Sequence, residues 1–541
     1  AEDVCEKISH AKLRSLKRVS NCVEAIKDNL ITSSPEEIRS LPDSPEYKKL
    51  IHWAYSKGAH SSDRVTKEWK RFAALIKWAA LQSETDAPPF PQDFPGYGTL
   101  WDNPRELPPF WRKLVPWLQP VMERGVITKA EATRVCHIST SRNFPAGGKK
   151  TRQESLRKHA ETLFQTPSES PVRREILGRL SYLIGRQTKR FSDQAGYTSL
   201  GHLSLTSNAS LDSTTDEGGR AAEVGALFRS WLTFVPDKHT LEVCWFGRSF
   251  WLEPGRPRWQ TMCRDSLKHE LHHEAGESDD RVDFDLENFR FEDPLYGLDE
   301  TTGYQLLQWS IEQGIQEGIL TGCPYYNEND ILGMSGRSPS IRTSAIGEPG
   351  AKSRVVTIGE AWLTVLLQPW AHHIIGVLRE HPSAKTGLTR GWQLYEWVKR
   401  QGNSAPPPRN DRYYLSSDLT TATDFCCHGY SLAMLEGFHR GIERSSDPLF
   451  SLCARLLCSG RVYESDPQTA ISRHANKQSQ SVFDSVTTRG VLMGDPGAKA
   501  VLTLHNLCAE GEAFLRYTNG AIGASDEEFL YLLKSREGFP P

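Results

Sequence analysis

The longest apolar run in the chain, Ala361 to Leu378, must be hidden from water, and that requirement limits the folds available. A bilayer could hide it, but Gln368, Pro369, His372 and His373 interrupt it. Polar groups at mid-span are costly in lipid, so the run does not read as a membrane span. With 541 residues the chain can supply two to four units of domain size around such a core. No charged and apolar leader opens it, and the first residue is Ala rather than Met, as expected of a processed or partial chain. The 65 basic and 67 acidic side chains give a net charge of −2. A chain-wide basic coat is thereby excluded, and any affinity for nucleic acid must come from local charge. The 11 cysteines form no C-x-x-C pair and are odd in number. This argues against a disulfide framework and a zinc ribbon, and a reducing, soluble compartment is expected.

Several amphipathic helices are predicted in the first half. In the Val65–Gln82 stretch, Trp69, Phe72, Ala73, Ile76, Ala79 and Ala80 recur at helical spacing. The prolines between Ala87 and Pro95, and Pro108–Pro109, divide this half into short units. Arg142 to Arg157 is basic, and its Ala146-Gly147-Gly148-Lys149-Lys150 reads as a flexible cationic loop ahead of a helix. Trp245 to Trp251 reads as a strand pair or packed loop. From Lys268 to Glu300 there are 12 acidic residues against 3 basic, and from Ser335 to Arg400 there are 9 basic against 4 acidic. This reversal predicts a boundary near residue 300.

Three segments of the second half carry chemistry. Tyr413 to Ser417 reads as a short buried strand, and it runs into Asp418-Leu419-Thr420-Thr421-Ala422-Thr423-Asp424 before a helix through Leu432, Leu435 and Phe438. A carboxylate at a strand end can hold a hard divalent cation together with substrate phosphates; taken alone, the segment reads better as a helix cap. Upstream, Glu348-Pro349-Gly350-Ala351-Lys352-Ser353-Arg354 puts Lys352 and Arg354 on one face of an extended segment, which suits a triphosphate. The plainer reading is a solvated basic edge. Downstream, Thr488-Arg489-Gly490-Val491-Leu492-Met493-Gly494-Asp495-Pro496-Gly497 feeds a helix from Ala498 to Ala509, where Thr503 and Asn506 share a face. It reads also as a tight turn before a core helix.

In this order, the three segments resemble motifs F, A and B of viral RNA-dependent RNA polymerases, most closely the narnavirus, ourmiavirus and botourmiavirus group. The patterns are of the type EPGxKxR, DLxxATD and RGxxMGDP, and the resemblance covers roughly the last two hundred residues. It implies that Asp418 binds the catalytic Mg²⁺ (or Mn²⁺). It also implies that Asp424 contacts the ribose 2′-hydroxyl of the incoming nucleotide. By the same resemblance Lys352 and Arg354 hold the triphosphate, and Thr488, Gly490 and Asn506 contribute to nucleotide binding. Gly494 would lie beside the template. Arg142 to Gly148 is similar in charge to the template-entry loop of motif G, although no single residue carries over.

Motif C, the Gly-Asp-Asp loop, is not found after Asn506. Ser525-Asp526-Glu527-Glu528 is the one acidic candidate, and it reads better as a capping box with Phe529, Leu530, Leu532 and Leu533 continuing a helix. The chain is therefore expected to be either a fragment cut before motif C or one half of a divided polymerase whose partner chain carries it. A rival pattern is His269-Glu270-Leu271-His272-His273 with Gly276 and Asp279. It resembles a metzincin zinc site with His269, His273 and Asp279 as ligands and Glu270 as general base. Its acidic, polar surroundings suit a solvated face better than a buried zinc helix. A third alternative is a non-catalytic RNA-binding subunit.

The expected fold is α+β and helix-rich. Residues 1–300 would form a mostly helical N-terminal extension, and 301–541 the fingers and partial palm of a right-hand polymerase with a small antiparallel sheet. The expected partners are RNA template and product, nucleoside triphosphates and a second chain bearing motif C, with no membrane span. The host cytoplasm is the expected location, with the mitochondrion as the alternative.

Overall fold

The computed structural model describes residues 10–34, 41–59, 61–81, 86–91, 93–98, 103–124, 127–194, 208–233, 241–245, 248–252, 300–321, 333–388, 421–445, 447–464 and 486–535. Those residues are helix-rich with small sheets, an α+β composition. The helices are α1 His10–Ser33, α2 Pro45–Gly58, α3 Ser62–Ala80, α4 Pro109–Leu114, α5 Leu118–Arg124, α6 Lys129–Ile138, α7 Lys149–Leu163, α8 Pro171–Gln194 and α9 Gly219–Thr233. They continue with α10 Glu300–Gln316, α11 Ala361–Arg379, α12 Pro382–Leu388, α13 His428–Gly441, α14 Pro448–Leu457, α15 Ala498–Thr518 and α16 Asp526–Ser535. The strands are β1 Leu241–Trp245, β2 Arg248–Leu252, β3 Leu320–Thr321, β4 Gly333–Met334, β5 Ser340–Glu348, β6 Lys352–Gly359 and β7 Val462–Glu464.

Two compact units emerge: Ala1–Lys158 with Ala345–Val355, and His159–Ser344 with Val356–Pro541. The division does not coincide with the charge reversal near residue 300. Val224 and Phe228 of α9 and Leu306 and Trp309 of α10, on either side of it, share one core. Charge reports the solvated face of an element, whereas packing decides which body it joins.

The first unit is built around α3, whose apolar stripe is buried as its spacing predicted: Trp69, Phe72, Ala73, Ile76, Ala79 and Ala80 all face inward. Phe72 and Phe94 stack on Trp111 with ring centroids 4.2 and 5.1 Å apart. Buried Asp63, in the first turn of α3, gathers the Ala146–Gly148 loop. It accepts from the Gly148 amide (2.9 Å), the Thr151 hydroxyl (2.6 Å) and Arg18 (3.0 Å). The loop that its glycines suggested would be flexible is thus tied at several points.

In the second unit α11 is the apolar run that opened the sequence. It is long and apolar enough to cross a membrane by length and composition, yet 83% of its most apolar window is buried. Pro369 sits within it, and the next residue, Trp370, donates from its indole nitrogen to His439 Nε2 at 3.1 Å. Burial holds His439 down to about 3 and His505, beside Ser431 at 3.3 Å, down to about 4. Strands β1 and β2 form an antiparallel pair, as the aromatic segment suggested. The larger sheet runs β6–β5–β7 with β7 parallel to β5, so it is not the purely antiparallel sheet expected. The predicted strand Tyr413–Ser417 lies outside the described residues.

Helices α8 and α13 approach closely because glycines stand at the crossing. A Cβ at Gly437 would collide with the Gly178 carbonyl, and one at Gly185 would lie 2.7 Å from the Phe438 carbonyl. The Ser181 hydroxyl donates to the Met434 carbonyl at 2.6 Å across the same seam. This contact sets the position of α13, whose first turn follows Asp424 by a few residues. Gly511, on α15, has nothing within 4 Å of its would-be Cβ. Two alanine substitutions should therefore act in opposite directions in thermal melts. Gly437→Ala should cost about 1–3 kcal/mol by overpacking, whereas Gly511→Ala should gain roughly 0.5–1 kcal/mol from helix propensity. Equal shifts would contradict the crossing described.

Candidate functional site

In the second unit, the turn Thr421–Phe425 and the loop Thr487–Gly497 lie side by side, joined by backbone hydrogen bonds. The Gly490 amide donates to the Cys426 carbonyl (2.8 Å) and the Val491 amide to the Thr423 carbonyl (2.9 Å). His428 Nε2 lies 2.9 Å from the Gly490 carbonyl. Gly490 has φ +101° and would bring a Cβ against Leu163, so both its backbone and its surroundings favour glycine. Gly494 donates to the Thr357 hydroxyl at 3.0 Å, and a Cβ there would strike the Thr357 carbonyl. Gly497, φ +93°, then starts α15, the helix predicted from Ala498.

A buried ion pair anchors this loop. Arg461 reaches Asp495 at 3.0 Å, with side-chain exposures of 1% and 3%. Arg461 also donates to the Ser459 carbonyl and hydroxyl at 2.9 and 2.7 Å. Its backbone and Thr487 exchange bonds of 2.9 and 3.0 Å. Sequence reasoning passed over this pair: Asp495 stood inside the glycine-rich motif without a role, and Arg461 carries no local signal. Asp495→Ala would strand a buried guanidinium and should lower stability by about 3–5 kcal/mol in denaturant melts. A loss below about 1 kcal/mol would show that the pair is not an anchor.

Asp424 is nearly buried at the end of its turn. Its carboxylate accepts from Thr423 at 3.4 Å and lies 3.7 Å from His159 Nε2 on α7. Burial raises Asp424 to about 6 and lowers His159 to about 4. Cys426 beside it is pushed up to about 11, again by burial. His159, whose Nδ1 has no hydrogen-bond partner, was missed in the sequence because nothing local links it to Asp424. Thr488 is exposed, with its amide and hydroxyl both on the Leu163 carbonyl, at 2.9 and 3.2 Å. Asn506 is exposed on α15. Turn and loop thus bring Asp424 and Gly490 together, while no described hydrogen bond ties Asn506 to either.

In the first unit, Lys352 and Arg354 are both exposed on β6, following the alternation expected. Arg354 pairs with Glu348 at 2.9 Å. The Phe144–Gly148 loop binds the tip before them. Gly350 and Ala351 donate to the Phe144 and Pro145 carbonyls at 3.0 and 2.8 Å, and Gly147 donates to the Lys352 carbonyl at 2.9 Å. Lys70 donates to the Gly350 carbonyl, and burial, with Lys352 and Lys67 nearby, holds its pKa down. Arg142, Lys149 and Lys150 are exposed in the same unit.

Asp418 lies outside the described residues, as do His269, Glu270, His273 and Asp279. Among the described residues no group of three His, Cys, Asp or Glu side chains could hold a metal ion. Ser525 and Glu528 form the capping box expected. The Ser525 amide donates to the Glu528 carboxylate at 2.8 Å, and the Glu528 amide to the Ser525 hydroxyl at 3.3 Å. These carboxylates begin α16. No family model, curated protein or solved structure matches the chain.

The two titrations at Asp424 oppose each other. Between about pH 4 and 6 the folded chain keeps a proton on Asp424 that the unfolded chain, near its ordinary 3.8, has released. Asp424 therefore costs stability as pH rises through that window. His159 has the opposite sign, since the unfolded chain takes a proton near 6.5 that the fold refuses until about 4. Asp424→Asn removes one slope. Its unfolding free energy should exceed the wild type's at pH 7.5 by an amount on the order of 2 kcal/mol, with a higher melting temperature that falls more steeply from pH 6 to 4. Parallel melting curves would refute this account.

Proposed function

We propose that this chain is the fingers and partial palm of an RNA-directed RNA polymerase of the narnavirus-like type, performing template-directed nucleotidyl transfer from nucleoside triphosphates. One observation above all supports the reading. The turn holding Asp424 and the loop holding Gly490 and Gly494, more than sixty residues apart, are paired by backbone hydrogen bonds. Motifs A and B of such enzymes have to meet in this way if they are to act on one nucleotide.

In this reading Lys352 and Arg354 take the triphosphate, with the guanidinium exchanging Glu348 for phosphate oxygens. Asp424 accepts the ribose 2′-hydroxyl, and its raised pKa keeps it close to a proton at mildly acidic pH. Gly490 and Gly494 let backbone rather than side chain border the nucleotide and template. Mg²⁺ or Mn²⁺ at Asp418 would supply charge neutralisation at the transferring phosphoryl group. No Gly-Asp-Asp follows Asn506 in the sequence, so this reading assigns no residue to motif C.

The test is equilibrium binding of a fluorescent ATP analogue with and without Mg²⁺. Wild-type protein should bind better with the metal, Asp418→Ala should lose that enhancement, and Lys352→Ala and Arg354→Ala should each weaken binding about tenfold. Metal-independent binding that Asp418→Ala leaves unchanged would sink the polymerase reading and favour a non-catalytic RNA-binding subunit. Stoichiometric zinc lost on His269→Ala would favour the protease.

A further inference from the structure

Arg489 and Phe425 form a feature that none of the roles above uses. Phe425 follows Asp424 directly, yet 49% of its surface is exposed. The Arg489 guanidinium sits 5.1 Å from the centroid of that ring, and its Nη2 donates to the Phe425 carbonyl at 2.7 Å. Its Nε is buried with no hydrogen-bond partner, and no described carboxylate pairs with it. Its charge acts on His428, as do those of Arg461 and Glu169, and on Cys426, as does that of Asp424. Glu169 is taken up by Arg174 and by the Cys427 thiol, so it does not neutralise Arg489.

Among the described residues the guanidinium is thus held in place without a carboxylate counter-ion, beside a half-open aromatic ring. A pair that merely packed would hide the ring or neutralise the guanidinium. A ligand that satisfies both has a flat π face and an adjacent anion, and a nucleotide unit of single-stranded RNA has both. A duplex would present its phosphates but not its base faces. The pair also lies at the seam between turn and loop, where the Gly490 amide meets the Cys426 carbonyl.

We propose that Phe425 and Arg489 are a docking point for single-stranded RNA, in which the open part of the ring stacks a base and the guanidinium binds a neighbouring phosphate. The inference rests on the polymerase reading for the class of ligand and adds to it the residues that hold the strand.

The experiment is fluorescence anisotropy of the full chain with a labelled oligouridylate, a matching abasic oligonucleotide and uridine monophosphate, over a range of salt. Phe425→Leu keeps the bulk of an exposed side chain and should weaken oligouridylate binding about tenfold while leaving abasic binding unchanged. Arg489→Gln should weaken both oligonucleotides and reduce the slope of log affinity against log salt by about 0.7, and Arg489→Lys should restore that slope. Wild-type binding with neither variant affected overturns the docking point and leaves the polymerase reading in place. Absence of RNA binding by the wild type overturns both. Loss of uridine monophosphate binding in Phe425→Leu with oligouridylate binding intact would overturn the RNA assignment in favour of a mononucleotide site. Matched melting temperatures certify the Arg489 variants, and should Arg489→Gln fail to fold, the Phe425→Leu comparison decides alone.

Discussion

The buried pair of Arg461 and Asp495 is the constraint on which the glycine-rich loop depends. Val491 and Leu492 give the loop its apolar hold, while its glycines lose more entropy on ordering than other residues. Removing both charges from water is expensive, and the cost is offset only when the partners meet with good geometry. Here they meet beside β7, and the exchange of bonds between Arg461 and Thr487 fixes the start of the loop on the same strand. Once the loop is placed, its amides at Gly490 and Val491 have one set of carbonyl partners within reach, those of the turn after Thr421. The anchor therefore specifies which segment pairs with which.

The other side of the seam is set by packing rather than charge. The small residues along α8 and α13 let the two helices approach until backbone meets backbone, so α13 has little freedom to slide. Because the turn ending at Phe425 runs into α13, the location of Asp424 follows from a helix contact that contains none of the site's chemistry. A seam assembled this way couples two kinds of precision: an ionic one for the loop and a steric one for the turn.

Some of this could be read from the residues beforehand. The stripe from Trp69 to Ala80, the helix after Gly497 and the capping box at Ser525 are local patterns, and local patterns are what periodicity and capping rules detect. The alternation of Lys352 and Arg354 belongs to the same class. What escaped was long-range. Nothing near Arg461 announces Asp495, and nothing near His159 announces Asp424, because such partners are chosen by the folded core and not by spacing. The division into units is long-range as well: the tip from Ala345 to Val355 belongs with residues almost two hundred positions earlier, an arrangement without any signature in composition. Asp418 and the zinc-like histidine pattern lie outside the described residues.

The deeply placed imidazoles of the second unit carry a consequence of their own. His439 and His505 stay neutral far below the range in which free histidine charges, and His439 in that state is the acceptor that the Trp370 indole needs. These two imidazoles therefore resist protonation while they stay buried, and mild acid charges them only when the body around them opens. Both groups thus hold off protons across the range in which a free imidazole charges, and opening the body in acid would release that resistance in one step.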